Sequence, residues 1–219
     1  ADGNRDMQVQ YSYWPVFNRS STRIHVVGTY STATGQVVTR SVFYTFDPAA
    51  LIPGPPFVLE TPPRQGVFLS RSDMIWSGVD PDHIFGYTKA KASELWAYDV
   101  ASQQYTLIKD FSGSVLPGGQ LEQMSRSLDD QVFAFTLTDS QGKHAGYLAW
   151  DRGRDQILVR EAVTNLDEVE VDKSGRYLVV VYNDGHDDIL DLAPSPPTLI
   201  ATLTRTVGDA FWHHDTGKG

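Results

Sequence analysis

The chain has 219 residues, no cysteine and a formal charge of −9. The missing thiols exclude disulfides, thiolate nucleophiles and Cys-ligated zinc or iron–sulfur sites. The acidic balance argues against binding nucleic acid by phosphate neutralisation or docking on anionic lipid, and no apolar run approaches the ~20 residues of a spanning helix.

Aromatic residues make up 11% of the chain, which also carries 18 Gly and 12 Pro, a composition that leans toward strands and turns. No secretory leader is visible. The first residue is Ala1 rather than Met, as expected of a processed or recombinant start, and the expected compartment is the periplasm or exterior of a bacterium.

Residues 1–12 begin polar and then alternate from Met7 to Ser12, the pattern of an edge strand or of a strand borrowed from a neighbouring unit. A first unit, about 14–60, opens at Trp14-Pro15-Val16-Phe17. It turns through Asn18 to Arg23, continues in the β-branched run Ile24 to Val27, and has a third strand from Val37 to Phe46. A connection rich in proline (Pro48, Pro53, Pro55, Pro56) then leads to Phe57-Val58-Leu59.

The second unit, about 73–111, enters a turn at Asp80-Pro81-Asp82 from Trp76-Ser77 and leaves it as Ile84-Phe85-Gly86-Tyr87. Its later strands are Leu95 to Asp99 and Gln104 to Ile108. The stretch Ala90 to Asp99 reads as a turn plus a strand rather than a helix. A third unit, about 120–161, and a fourth, about 167–204, repeat the order around turns at Leu128-Asp129-Asp130 and Asp172-Lys173-Ser174-Gly175.

Placing Ile24, Ile84, Val132 and Tyr177 as first residues of the second strands gives spacings of 60, 48 and 45 residues. The last two are close to the ~40–45 residues of a propeller blade. A second marker is an apolar residue followed by Asp at the end of each third strand: Phe46-Asp47, Tyr98-Asp99, Trp150-Asp151 and Leu190-Asp191. That Asp suits a turn because its carboxylate can accept from backbone N–H groups. In the last three units the segments Asp99 to Ile108, Asp151 to Arg160 and Asp191 to Ile200 have equal length. A short meander with two apolar faces buries both only by stacking on neighbours.

The expected fold class is therefore all-β, a single β-propeller domain over 1–219. It would have about four four-stranded blades plus the start of a fifth in residues 209–219. The expectation is a partial propeller belonging to a longer one. The alternatives are closure by a strand from residues 1–12, or self-association of two copies through open blade edges.

Trp76-Ser77 with its Pro-Asp turn and Ile84-Phe85, together with Val171-Asp172-Lys173-Ser174-Gly175-Arg176-Tyr177-Leu178, resemble the TolB-type WD40-like propeller repeat. That repeat reads roughly Trp-Ser-Pro-Asp-Gly-Lys before an apolar strand. The resemblance covers the chain from about Trp14 onward and implies the fold far more than any activity. Only Lys173-Ser174-Gly175 keeps the turn glycine; Phe17-Asn18-Arg19-Ser20 and Met124-Ser125-Arg126-Ser127 are degenerate copies.

Candidate chemistry concentrates near the end of the chain, at Trp212-His213-His214-Asp215. Imidazole and carboxylate suit a divalent metal, or a base with the group that orients it. On a strand neighbours face opposite ways, so His213 with Asp215 is the same-face metal pair, while His213, His214 and Asp215 together are the candidate catalytic set. Trp212 could stack on a sugar. The competing reading is a His-rich terminus with no site. A weaker resemblance, to oligogalacturonate-lyase-like propellers, implies a His-centred metal on the central axis, although no full ligand set is matched here.

Asn183-Asp184-Gly185-His186-Asp187-Asp188 is the alternative metal loop, through Asp184, Asp187 and Asp188. It lacks the glutamate an EF-hand loop needs, and a solvated acidic hairpin explains it equally. Asp80, Asp82 and His83 read first as turn residues. His25 and His144 read as structural or solvated, and the tryptophans as packing between blades. Asn18-Arg19-Ser20 matches a glycosylation acceptor, a pattern common by chance.

Gly-x-Ser-x-Gly, P-loop, dinucleotide and zinc-helix motifs are all missing. The expected function is thus a propeller binding or scaffold module, taking a small-molecule, carbohydrate or protein ligand at the axial mouth or on a face. The alternative is part of a carbohydrate-active propeller enzyme, a metal-assisted lyase or hydrolase.

Overall fold

The computed structural model describes residues 6–8, 15–31, 35, 37–58, 74–88 and 91–204. Among these the chain is all-β, with four four-stranded antiparallel sheets and no helix. The chain divides into two compact units, Ala1–Asp110 and Phe111–Gly219, each holding two sheets.

In the first unit, β1 (Asp6–Gln8), β2 (Arg23–Ser31), β3 (Val37–Asp47) and β4 (Ile52–Val58) form a sheet in sequence order. β1 settles the first of the two readings of the N-terminal segment. It is an edge strand of this sheet, pairing Asp6 with Thr29 and Gln8 with Val27. The Phe17–Ile24 bridge continues the same edge of β2.

The proline-rich connection expected before Phe57 is itself strand β4, with Pro53 opposite Phe46 and Pro56 opposite Tyr44. Proline lacks the N–H for a second ladder, which an outer strand does not need. The second sheet is β5 (Ile75–Trp76), β6 (His83–Thr88), β7 (Lys91–Asp99) and β8 (Gln104–Asp110). Phe43 of β3 packs on Trp76 and Tyr98, at 5.9 Å between ring centroids in each case. With Met74, Ile84, Trp96 and Val100 these residues make one buried cluster.

The second unit repeats the plan with β9 (Gln120–Arg126), β10 (Val132–Thr138), β11 (His144–Asp151) and β12 (Gln156–Glu161), then β13 (Leu166–Val171), β14 (Tyr177–Tyr182), β15 (His186–Asp191) and β16 (Thr198–Thr204). Every residue of β10 is buried. Its sequence Val-Phe-Ala-Phe-Thr-Leu-Thr is nearly apolar throughout because both faces are covered. Val132 and Ala134 face a cluster with Val169, Val171, Leu178 and Val180 of the fourth sheet. On the other face Phe133, Phe135 and Trp150 pack together, with Phe111 5.3 Å from Trp150.

One turn design recurs between the first two strands of every sheet. The backbone N–H of Asn18, Ser77, Ser127 or Asp172 donates to the carbonyl of Arg23, His83, Val132 or Tyr177 respectively. The same residue's side-chain oxygen accepts from two backbone N–H groups within the turn: Thr22 and Arg23, Val79 and Asp80, Gln131 and Val132, Arg176 and Tyr177. The degenerate copies thus keep the function of the motif, a small polar acceptor, while changing its residue type.

These bonds also correct the register. Arg23 and His83, not Ile24 and Ile84, are equivalent to Val132 and Tyr177, so the spacings are 60, 49 and 45 residues.

The Asp ending each third strand acts as expected. Asp47 accepts from Ala49 and Ala50, Asp99 from Ala101 and Ser102, Asp151 from Arg154 and Asp191 from Ala193. Asp47, Asp99 and Asp151 pair with Ile52, Gln104 and Gln156, five residues on in each case. Each turn closes through a left-handed residue, Leu51, Gln103 or Asp155. Asp191 instead pairs with Thr198, seven residues on. The equal segment lengths read from the last three units therefore hide a longer fourth turn, which contains Pro196 and Pro197.

Candidate functional site

In the second unit a shallow groove of about 260 Å³ lies between the third and fourth sheets. Its apolar lining is Val132, Leu158, Leu192 and Ala193, and its polar lining is Asp151, Arg154, Ser174 and Arg176, around Gly175. The repeated turns create it. Asp172 holds the turn that presents Ser174 and Arg176, and Asp151 accepts from Arg154 N–H at 2.8 Å to hold the next.

Gly175 has φ +75°, and a Cβ there would stand 3.0 Å from Val132 Cγ2 and 3.1 Å from Ser127 Cβ. Glycine therefore lets the fourth sheet's turn close onto the third sheet's strand. The Leu128 N–H donates to the Lys173 carbonyl at 2.9 Å and locks the same contact.

Both groove arginines are oriented by aspartates. Arg176 donates through Nε and Nη2 to the two carboxylate oxygens of Asp191, at 3.2 and 2.9 Å, and its guanidinium carbon lies 5.2 Å from the centre of the Tyr177 ring. The Arg176 bond holds the Asp191 carboxyl below its ordinary value, with help from the Ala193 N–H. Arg154 Nε approaches Asp151 at 3.5 Å with its side chain largely in solvent. A two-pronged clamp occupies the Nε–Nη2 edge of the Arg176 guanidinium.

Farther along the same sheets, His144 lies between Glu122, 3.5 Å from its Nε2, and the Leu166 carbonyl, 3.3 Å from its Nδ1. The Glu122 bond raises the His144 pKa against the opposing effect of burial. Of the two readings for this residue, structural or solvated, the structure supports the first: His144 is half of a His–carboxylate pair. The 22-position separation of Glu122 and His144 closes across β10, whose Thr138 pairs with both Gln120 and His144.

The other sequence candidates fall out as follows. Trp212, His213, His214 and Asp215 lie outside the described residues, as does Trp14. Asp184 pairs with His186, and Asp188 accepts from Thr202 at 2.6 Å. Asp187 neighbours Asp188 on β15 and so points to the opposite face. Strand alternation thus separates Asp187 from Asp188, while Asp184 stands in the turn before β15.

Asp80 pairs with His83 at 2.7 Å and Asp82 with Arg23, so both serve the turns. His25 is buried and stacked on Phe43. Asn18 is buried with both amide atoms engaged, which removes it as a glycosylation acceptor. Trp76, Trp96 and Trp150 are buried and bonded through Nε1 to Val16, Glu94 and Asp155, and so pack rather than bind.

Among the described residues no three His, Asp or Glu side chains gather in a way that could hold a metal ion. Nor is any described helix long and apolar enough to cross a membrane.

No family model matches the sequence, and no curated protein matches it. Solved structures do match. An oligogalacturonate lyase from Vibrio parahaemolyticus is similar with a TM-score of 0.53 and 10% identity, over 87% of this chain and 48% of the lyase. An oligogalacturonate lyase in complex with manganese is similar with a TM-score of 0.50 and 10% identity, over 91% of this chain and 67% of that one. The chain thus spans about half the length of the first lyase. Likeness at this identity shows the fold alone: the four sheets match the blades of lyase-like β-propellers.

Groove residues Arg154 and Arg176 escaped the sequence reading because each is unremarkable where it stands. A usable signal was nonetheless present. Asp151 and Asp191 were already marked as strand ends, and a basic residue stands three positions after Asp151 and beside Tyr177, the residue opposite Asp191.

Proposed function

We propose that this chain is a β-propeller binding module whose groove between the third and fourth sheets takes a small carboxylate-bearing ligand, one acidic sugar unit among the candidates. The supporting observation is that Arg154, Arg176 and Ser174 line the same groove as the apolar Leu158 and Leu192. Small-molecule sites start near ~300 Å³, so a groove of about 260 Å³ suits a single ring rather than an oligomer. One ring face would rest on Leu158 and Leu192 while its carboxylate meets Arg176. The acidic-sugar candidate draws on the names of the two similar lyases, and the axial mouth stands as the alternative position for the ligand.

Calorimetric titration with galacturonate and trigalacturonate tests the reading. Saturable binding that weakens roughly tenfold, ~1.4 kcal/mol, in Arg176→Ala is expected. Equal affinity in wild type and Arg176→Ala would remove the groove as the site, and an absence of heat with both sugars would remove the acidic-sugar ligand.

A second reading, a metal-assisted carbohydrate lyase or hydrolase, is favoured by the manganese complex among the similar structures. It assigns His213, His214 and Asp215 as metal ligands or acid–base groups. Metal analysis of the purified chain, with His213→Ala and His214→Ala assayed on acidic oligosaccharides, decides it. No bound divalent ion and unchanged turnover in both variants would end this reading.

A further inference from the structure

The two sheets of the second unit repeat each other row by row. In the third sheet Ser125, Ala134 and Ala149 stand side by side across β9, β10 and β11. The same row of the fourth sheet is Glu170, Val179 and Ile189 across β13, β14 and β15. Ser125 and Glu170 each stand two residues before the one that holds the first turn, Ser127 or Asp172. The third-sheet row receives the fourth sheet. Ala134 and Ala149 pack with Val169 and Val171. The Ser125 hydroxyl accepts from the Val171 N–H at 2.9 Å and donates to the Val169 carbonyl at 3.4 Å.

The fourth-sheet row points the other way. Val169, Val171, Leu178 and Val180 fill the face toward the third sheet, so Glu170, Val179 and Val181 project from the opposite face. Asp187 stands beside Val181 there. Glu170, Val179, Val181 and Asp187 are 4, 5, 7 and 7% exposed, so this face is closed to solvent as the third sheet's is. A carboxylate only accepts hydrogen bonds. Where Ser125 both accepts and donates, a strand lying over Glu170 must supply donors.

The chain after Thr204 has the length and the residues to supply that strand. β12 ends at Glu161 and β13 begins five positions on, at Leu166. Five positions beyond the end of β16 at Thr204 stands Asp209. Asp172 is six positions after Leu166 and is followed by Gly175-Arg176, while Asp215 is six positions after Asp209 and is followed by Gly217-Lys218. This register sets Trp212, His213 and His214 in the places of Val169, Glu170 and Val171.

We propose that residues 209–215 form the strand that covers the far face of the fourth sheet, with the Glu170 carboxylate accepting from His214. In this register Trp212 and His214 face the sheet, as Val169 and Val171 face the third, and His213 faces away. The His214 backbone N–H replaces that of Val171, and its imidazole N–H is a second donor. Buried charges are paired, and His214 brings the cation that a buried Glu170 calls for. Trp212 brings a broad apolar surface to Val179 and Val181. The role is structural and competes with the assignment of His214 as a metal ligand.

Two measurements on the full chain, with chelator present, test the docking. Subtracting the emission spectrum of Trp212→Phe from that of wild type isolates Trp212. It is expected to emit as a buried indole, at shorter wavelength than in urea. In urea unfolding, Glu170→Gln and His214→Ala should each lower the midpoint, and the double variant should fall no further than the lower single. His213→Ala should keep the wild-type midpoint.

A Trp212 spectrum equal to that of the urea-unfolded chain overturns the docking. A buried Trp212 signal that turns solvent-like on dilution overturns it as a contact within one chain and gives the face to a second copy. Additive losses in the double variant overturn the pairing of Glu170 with His214. A midpoint lowered as much by His213→Ala as by His214→Ala overturns the register.

Discussion

The carboxamide of Asn18, in the first turn of the first sheet, donates to the Pro81 carbonyl in the first turn of the second sheet at 2.7 Å. Its oxygen accepts from the N–H groups of Thr22 and Arg23 at 2.8 and 3.0 Å. One buried side chain thus both shapes its own turn and joins two sheets. Arg19 donates to the Gly78 carbonyl beside it and Arg23 pairs with Asp82, so the whole turn is a docking element.

Asn18→Asp separates the two tasks. It keeps the turn acceptor and loses the donor to Pro81, leaving a buried carbonyl short of a partner. A loss of about 1–3 kcal/mol is expected, with Asn18→Ala losing more. Urea midpoints at constant m-value measure it.

Gly175→Ala probes the equivalent contact in the second unit. The left-handed φ and the close approach to Val132 and Ser127 act together. The expected cost is about 1–3 kcal/mol, with ligand binding in the groove weakened as Arg176 shifts. A thermal midpoint equal to wild type would show that the turn relaxes freely.

His25 makes the first unit sensitive to acid. Burial lowers its pKa to about 3, so the folded state holds it neutral while the unfolded chain takes up a proton near 6.5. The unfolded state then binds more protons, and stability falls by about 1.4 kcal/mol per pH unit below 6.5 from this residue alone. His25→Phe should flatten that slope between pH 6 and 4, measured by denaturant unfolding. An unchanged slope would mean that another group carries it.

His144 acts in the opposite sense. Its pKa is raised in the folded state, by Glu122 first, with the Leu166 carbonyl and Asp167 assisting. Its contribution is fully present below the unfolded value of 6.5 and is lost as pH rises through the higher folded value. Glu122→Gln should move the His144 titration down, as followed by NMR of its ring protons, and should shrink this residue's share of the stability lost between mildly acidic and alkaline buffer.

The repeat itself was legible in the sequence. Strand runs, turn residues and the Asp after each third strand are local, and local chemistry recurs whenever the same turn must be built. The errors of one residue at Ile24 and Ile84 have a local cause too. Arg23 and His83 are polar residues at strand starts, where their backbones pair while their side chains reach Asp82 and Asp80. Residue type said turn and hydrogen bonding said strand. Strand β4 was hidden by its prolines for a related reason, since propensity describes an average strand and β4 needs only one ladder.

The sequence by itself determined the four sheets seen among the described residues, the turn chemistry and the exclusion of thiol sites, because each depends on residues near one another or on composition. Only the tertiary structure decided which side chains meet. Asn18 with Pro81, Glu122 with His144, and Asp151, Arg154 and Arg176 around one groove are assembled by strand register and sheet stacking. Apart from the neighbours Asp151 and Arg154, these residues stand from about 20 to over 60 positions apart, and the local pattern marks single members without saying which of them meet.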